Sequence, residues 1–136
     1  MADNVTELKL KEQTEPIARY LGLHLVGLTP GYAKISMKVR PEYLNFNSYI
    51  FGGIIAGVAD QAFAYATNSL ISQSIASQFN IHFINGAKVG DELIAECRVV
   101  KSGKRVGVAE MTVTNQDGKL IAKATGTTIP VVKEKG

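Results

Sequence analysis

Hydrophobic and polar positions alternate most clearly where Ala33, Ile35, Met37 and Val39 interleave with Lys34, Ser36, Lys38 and Arg40. A period of two with one apolar and one charged face predicts a strand that lies on a core and is wet on its other side. Thr29-Pro30-Gly31 just before it is a turn, because Pro presets φ and Gly tolerates a positive one. An earlier strand is therefore expected over His24 to Leu28. Residues 5–20 predict a short amphipathic helix with Leu8, Ile17 and Leu21 available to dock on the body. A loop from Pro41 to Phe51 leads to Gly52-Gly53 and a helix running to about Ser69. Beyond it Phe79, Ile81 and Phe83 alternate with Gln78, Asn80 and His82. Three further strands are expected near 92–101, 105–115 and 119–129, with turns at Ser102-Gly103-Lys104 and Gln116-Asp117-Gly118. The expected order is helix, two strands, one long helix and four strands in an antiparallel meander. That is an α+β arrangement, one long helix against one sheet.

The long helix carries the most information. Ile54, Ile55, Val58, Ala59, Ala62, Phe63 and Ala66 form one apolar stripe at helical spacing. The opposite side holds Ala56, Gly57, Asp60, Ala64 and Thr67, nearly all small. From Tyr43 to Ala87 the only formally charged side chain is Asp60, and His82 is the only other group that titrates near neutral pH. A helix without a charged outer face is covered on both sides. One antiparallel sheet covers one of them, and a chain of this length has no second layer to spare, so self-association is expected.

Asp60 reads in two ways: a carboxylate satisfied by structural hydrogen bonds, or one kept for chemistry, since burying such a group is costly. Gly52-Gly53 also reads in two ways. It is either a flexible junction or a gap that lets a ligand carbonyl reach the free N–H groups at the positive end of the helix. Together, glycines and carboxylate outline an acyl-transfer site.

Composition narrows the alternatives. A chain of 136 residues is expected to be one domain, residues 1–136 with a helical segment over 1–20, burying about two-thirds of its unfolded surface. No apolar run of about 18 residues predicts a membrane span. The amino terminus lacks the basic and apolar regions of a signal peptide, and the lone Cys97 has no internal disulfide partner, so the cytoplasm is the expected compartment. The net charge of +3 is mild and no helix carries a basic face, so neither nucleic acid nor a membrane is an expected partner. Lys101, Lys104 and Arg105 gather at a tight turn, either as solvated charges or as phosphate contacts. No His, Cys or acidic set has metal-ligand spacing, so no metal is expected. There is no Gly-x-Ser-x-Gly elbow.

The run from Phe51-Gly52-Gly53 through Asp60 to Asn68-Ser69 resembles the signature of the phenylacetate-degradation-type hotdog thioesterases: His-Gly-Gly, six residues, Asp, then an Ala-Phe-Ala-rich continuation ending in Asn-Ser. Asn80-Ile81-His82-Phe83, Val89-Gly90-Asp91 and the hairpin from Asn115 to Lys119 are similar to the same family, and the likeness covers roughly residues 15–130. It implies a sheet wrapped around the helix, a homodimer or homotetramer, and active sites between protomers. It also implies an acyl-CoA substrate, with coenzyme A entering only as part of it and no separate cofactor. Aromatic or medium-chain acyl groups are expected.

Asp60 maps onto the carboxylate that acts as general base or nucleophile, and Gly53 or Gly52 onto the amide that polarises the carbonyl. Asn45 sits where the family places a polar residue six before the His. Phe51 stands in place of that His. Phe-Gly-Gly occurs in another hotdog branch that reads Asn-x-x-Ile-Phe-Gly-Gly, which Asn47 to Gly53 fit, so Asn45 and Asn47 are both candidates to orient water. Ser77 and Gln78 resemble acyl-pocket residues. Ile84-Asn85-Gly86 departs from the Pro and Arg of many relatives. Tyr65 reads as packing and His82 as a solvated strand residue. The rival from another class is a non-catalytic acyl-CoA-binding or regulatory protein; a hotdog dehydratase would need a His beside its acid.

Overall fold

The first departure from the expected pattern comes at Pro16. In the computed structural model, which describes residues 3–131, the amino-terminal segment is two helices, α1 (Asn4–Glu12) and α2 (Pro16–Leu21). The ends of the expected domain, residues 1–2 and 132–136, lie outside the described residues. Asp3 caps α1 by accepting the Thr6 N–H at 2.7 Å, and that bond holds its carboxyl below the ordinary range. Pro16 has no N–H to continue the ladder and pushes Glu15 into extended backbone, so one helix stops and another starts. α2 ends at Gly22, which is left-handed at φ 70° and returns its N–H to the Ala18 carbonyl. Leu8 and Leu21 pack on the core as expected, whereas Ile17 is 48% exposed and Ala18 is buried in its stead.

Six strands follow the helices: β1 (His24–Thr29), β2 (Tyr32–Lys38), β3 (Ser74–Phe83), β4 (Glu92–Ser102), β5 (Gly107–Thr114) and β6 (Leu120–Pro130). The long helix α3 (Gly52–Asn68) is inserted after β2. All six form one antiparallel sheet in the order β1-β2-β4-β5-β6-β3. The expected four-strand meander therefore holds only for β4-β5-β6. β3 leaves for the far edge, where it pairs with β6 from Ser74↔Pro130 to Phe83↔Ala122. β2 meets β4 instead, from Tyr32↔Arg98 to Lys38↔Glu92. The segment 84–91 that joins β3 to β4 is no tight turn, and it gives the chain room to cross the end of the sheet.

Alternation along the strands sets the core. Ala33, Ile35 and Met37 of β2, Leu93, Ala95 and Cys97 of β4, and Ala109, Met111 and Val113 of β5 are all buried beneath α3. The helix contributes Ile55, Val58, Ala59, Ala62, Phe63 and Ala66, nearly the stripe that the sequence predicts. Phe63 packs on Phe79 at a centroid distance of 6.1 Å and lies over Gly126, where a Cβ would come within 2.7 Å of its ring. Gly126 thus lets the sheet approach the helix closely. Thr67, expected on the small-residue side, is buried: its hydroxyl donates back to the Phe63 carbonyl at 2.8 Å, so it sits in the core without an unpaired polar atom.

Candidate active site

α3 has no side-chain cap. Phe51 precedes it in extended backbone, and the Phe51 carbonyl accepts the Ile54 N–H at 2.9 Å. Gly52 and Gly53 are left with first-turn N–H groups that no carbonyl among the described residues accepts. The Phe51 ring lies against Gly53, where a Cβ would come within 2.5 Å of it, and the Phe83 ring flanks Gly52. A cavity of about 260 Å³ opens here, lined by Ile50, Gly52, Ile55, Phe83 and Ile84 among others. Free amides, a helix dipole and apolar walls make this end of α3 able to hold a carbonyl oxygen that gains charge.

Asp60 lies two turns further on, on the face the sheet does not cover, with Gly53, Ala56, Gly57 and Ala64. The expectation of a buried carboxylate is corrected here: in the single chain Asp60 is exposed, because the sheet shields only the opposite side of the helix. Packing around it is still dense enough that desolvation raises its carboxyl above the ordinary 3.8. No hydrogen bond to the Asp60 carboxylate occurs among the described residues. Seven residues of helix separate Gly53 from Asp60, a rise of about 10 Å along the axis.

Asn45 and Asn47 share the loop before α3. The Asn45 Oδ1 accepts the N–H groups of Asn47 at 2.9 Å and Tyr49 at 3.2 Å, so its carbonyl oxygen shapes the loop and only its NH₂ is free to meet a ligand. The Asn47 side chain is exposed, as are Phe46 and Tyr49. Ser77 is the bulged residue between the Ala76↔Thr128 and Gln78↔Thr127 pairs of β3 and β6. Its hydroxyl lies 2.9 Å from that of Thr127. Gln78 follows it on the exposed edge strand, beside the Phe79 that contacts Phe63, which places both residues along the middle of α3.

Lys101, Lys104 and Arg105 are exposed and lie apart from these groups. Their turn packs near Thr67, Ile71 and Ser74, at the opposite end of α3 from the glycines. His82 faces the outer side of the sheet with Asn80, Glu110 and Lys123, and the buried Cys97 thiol is pushed up to about 12 by desolvation. No group of three His, Cys or acidic residues placed to hold a metal occurs among the described residues, and no helix among them is long and apolar enough to cross a membrane.

One polar cluster escapes sequence reasoning. Glu15 Oε1 accepts from both Gln61 Nε2 and the Tyr65 hydroxyl, each at 2.7 Å. Gln61 and Tyr65 are buried on α3, and burial with the Glu15 carboxylate drives the Tyr65 hydroxyl far above its ordinary value. Tyr65 is more than packing: it is half of the anchor that holds the amino-terminal helices to α3. No local pattern marks a contact made across so much intervening chain.

Comparison with known proteins places this geometry. Residues 47–122 match the family model described as thioesterase superfamily. The chain is 34% identical to Escherichia coli acyl-coenzyme A thioesterase PaaI over 81% of this chain and 79% of that protein. It is 28% identical to human acyl-coenzyme A thioesterase 13 over 85% of this chain and 86% of that protein. The crystal structure of E. coli PaaI, from the phenylacetic acid degradation operon, superposes with a TM-score of 0.90 over 95% of this chain and 94% of that one, at 29% identity. A Streptococcus mutans protein solved bound to acetyl-CoA superposes with a TM-score of 0.78 at 29% identity, over 83% of this chain and 91% of that one. These matches show that the chain belongs to the thioesterase superfamily and is a hotdog-fold enzyme similar to PaaI.

Proposed function

We propose that the chain hydrolyses acyl-CoA thioesters at a site completed by a second copy of itself. Asp60 of one copy takes a proton from water, and the water oxygen bonds to the thioester carbonyl carbon. The carbonyl oxygen becomes an oxyanion held by the Gly53 N–H of the other copy. When the tetrahedral intermediate collapses, the C–S bond breaks and the CoA sulfur leaves with the proton, giving a carboxylic acid and free thiol. The desolvated, raised carboxyl of Asp60 suits a general base, because its basicity moves toward the working pH. The Asn45 NH₂ or the exposed Asn47 side chain orients the water, Phe51 and Gly52 border the carbonyl, and Ser77 and Gln78 flank the acyl path. Lys101, Lys104 and Arg105 contact CoA phosphates.

One observation carries this reading: an unanchored carboxylate stands on the uncovered face of α3, about 10 Å along the helix from the free amides it would have to work with. A partner copy that brings its own Gly53 beside Asp60 closes that gap. The names of the relatives, acyl-coenzyme A thioesterases of E. coli and human, supply the substrate class. Replacing Asp60 with Asn tests the reading. Thiol release from acyl-CoA is expected to slow by about two to four orders of magnitude with the melting temperature essentially kept. Full activity in that variant sinks the assignment. Sedimentation is expected to show a dimer or tetramer.

A further inference from the structure

A cavity larger than the one at the glycine turn lies elsewhere among the described residues. It holds about 420 Å³ and sits between the amino-terminal helices and the second half of α3, lined by the apolar Leu8, Pro16, Ala64 and Tyr65 and by the polar Lys11, Thr14, Glu15 and Asn68. Ala64 and Asn68 continue the face that carries Asp60, one and two helical turns beyond it. The cavity therefore begins about 6 Å from the proposed reaction centre and reaches about 12 Å, along one straight helix. We infer that this cavity receives the apolar tail of the acyl group, and that a linear medium-chain acyl group, rather than a compact aromatic one, is the substrate it fits. The inference rests on the acyl-CoA reading above and adds the direction and length of the tail.

Three features favour a tail over the polar arm of CoA. Ala64, Leu8, Pro16 and the ring of Tyr65 give the cavity hydrocarbon walls. Of the polar lining groups, Glu15 already accepts from Gln61 and Tyr65, and the Asn68 amide donates to the Ala64 and Ser74 carbonyls. The outer wall is also fixed: the double anchor at Glu15 clamps the start of α2 to α3, so the cavity is preformed rather than induced. Measured from Asp60, the far end of the cavity lies two helical turns away, about 12 Å, which suits about eight to ten carbons in extended form, whereas an aryl ring would reach only its mouth.

Binding of S-alkyl-CoA thioethers, which cannot be hydrolysed, tests this independently of catalysis. Calorimetry on the intact protein should show the dissociation constant falling about three- to fourfold per added CH₂ from S-butyl to about S-decyl, then levelling off. Ala64→Phe fills the cavity from α3, and Leu8→Trp fills it from the surface helix α1, where misfolding is not at stake. Each is expected to end the ladder several carbons earlier, while CoA carrying no alkyl chain binds all three proteins alike. A ladder that neither variant shortens overturns the inference. So does a parallel loss of CoA binding, which would place the polar arm in the cavity. Thioethers that bind along this ladder without any thiol release from the matching acyl-CoAs would leave the tail site standing and overturn the hydrolytic reading instead.

Discussion

Phe63 and Ala64 are neighbours in the chain and face opposite ways. The ring of the first is sealed between Phe79 and the bare backbone of Gly126, and the methyl of the second lies open beside the cavity under the amino-terminal helices. The same division runs the length of α3. Toward the sheet stand Ile55, Val58, Ala59, Ala62 and Ala66, which hold the fold together; away from it stand Gly53, Ala56, Gly57, Asp60 and Ala64, which support nothing around them. The difference shows how a single helix separates stability from chemistry. Large side chains go where contact is gained, small ones where, on the proposed reading, a substrate approaches, and the one charge of the helix goes where no hydrogen-bond partner among the described residues reaches it.

The division can be broken from either side. The largest expected effect is on the sheet side: Phe63→Ala should lower the free energy of unfolding by about 3–5 kcal/mol, read from urea denaturation, because the space over Gly126 is left empty. On the open side, Gly53→Pro removes one N–H at a helix position that tolerates proline and should cut kcat about a hundredfold with little loss of stability. Gly53→Ala keeps the N–H and only displaces the Phe51 ring, so it should lose far less. If both variants lose activity equally, crowding and not the amide explains the loss.

Glu15→Ala sits between the two faces. It strands the buried donors of Gln61 and Tyr65 and should cost about 1–3 kcal/mol, measured by thermal or urea unfolding. The smallest effect concerns pH. The Asp60 carboxyl is raised in the folded chain, so the folded state holds its proton more tightly than the unfolded state does. Stability from this group is therefore present below the ordinary carboxylate value of 3.8 and fades as pH rises through the raised one. Asp60→Asn should melt slightly higher than the natural chain at neutral pH, with the gap closing in acid. Activity runs the other way, rising with pH as the carboxylate ionises.

Much of this was legible in the sequence, for reasons that differ by residue. The strand from Ala33 and the apolar stripe of α3 are local periodicities, and the chain obeys them. The turn at Gln116-Asp117-Gly118 is equally local: Asn115 Oδ1 accepts the N–H groups of Asp117 and Lys119, both at 3.0 Å, and Gly118 adopts φ 79°. Pro16 was visible but its consequence was not, because apolar spacing runs through the break. The place of β3 could not be read. Phe79, Ile81 and Phe83 alternate like a core strand, yet Phe83 is 54% exposed, since pairing with β6 leaves β3 at the rim. Pairing between distant strands leaves no trace in either strand alone. At the site, the isolation of Asp60 was legible as an absence of other charges. The commitment of Asn45 Oδ1 to its own loop, and the anchor at Glu15, depend on contacts that only the folded chain makes.

β3 ends the sheet with a strand of ten residues whose outer ladder groups have no strand beside them among the described residues. Such a rim is a template for whatever extended chain arrives first. If, as proposed, a second copy completes the site, solubility and assembly become one problem: the matching copy that completes the chemistry also keeps foreign strands away. Dilution should cost this protein its resistance to aggregation along with its activity, and a lysine set into the middle of β3 would protect the lone chain only by keeping it idle.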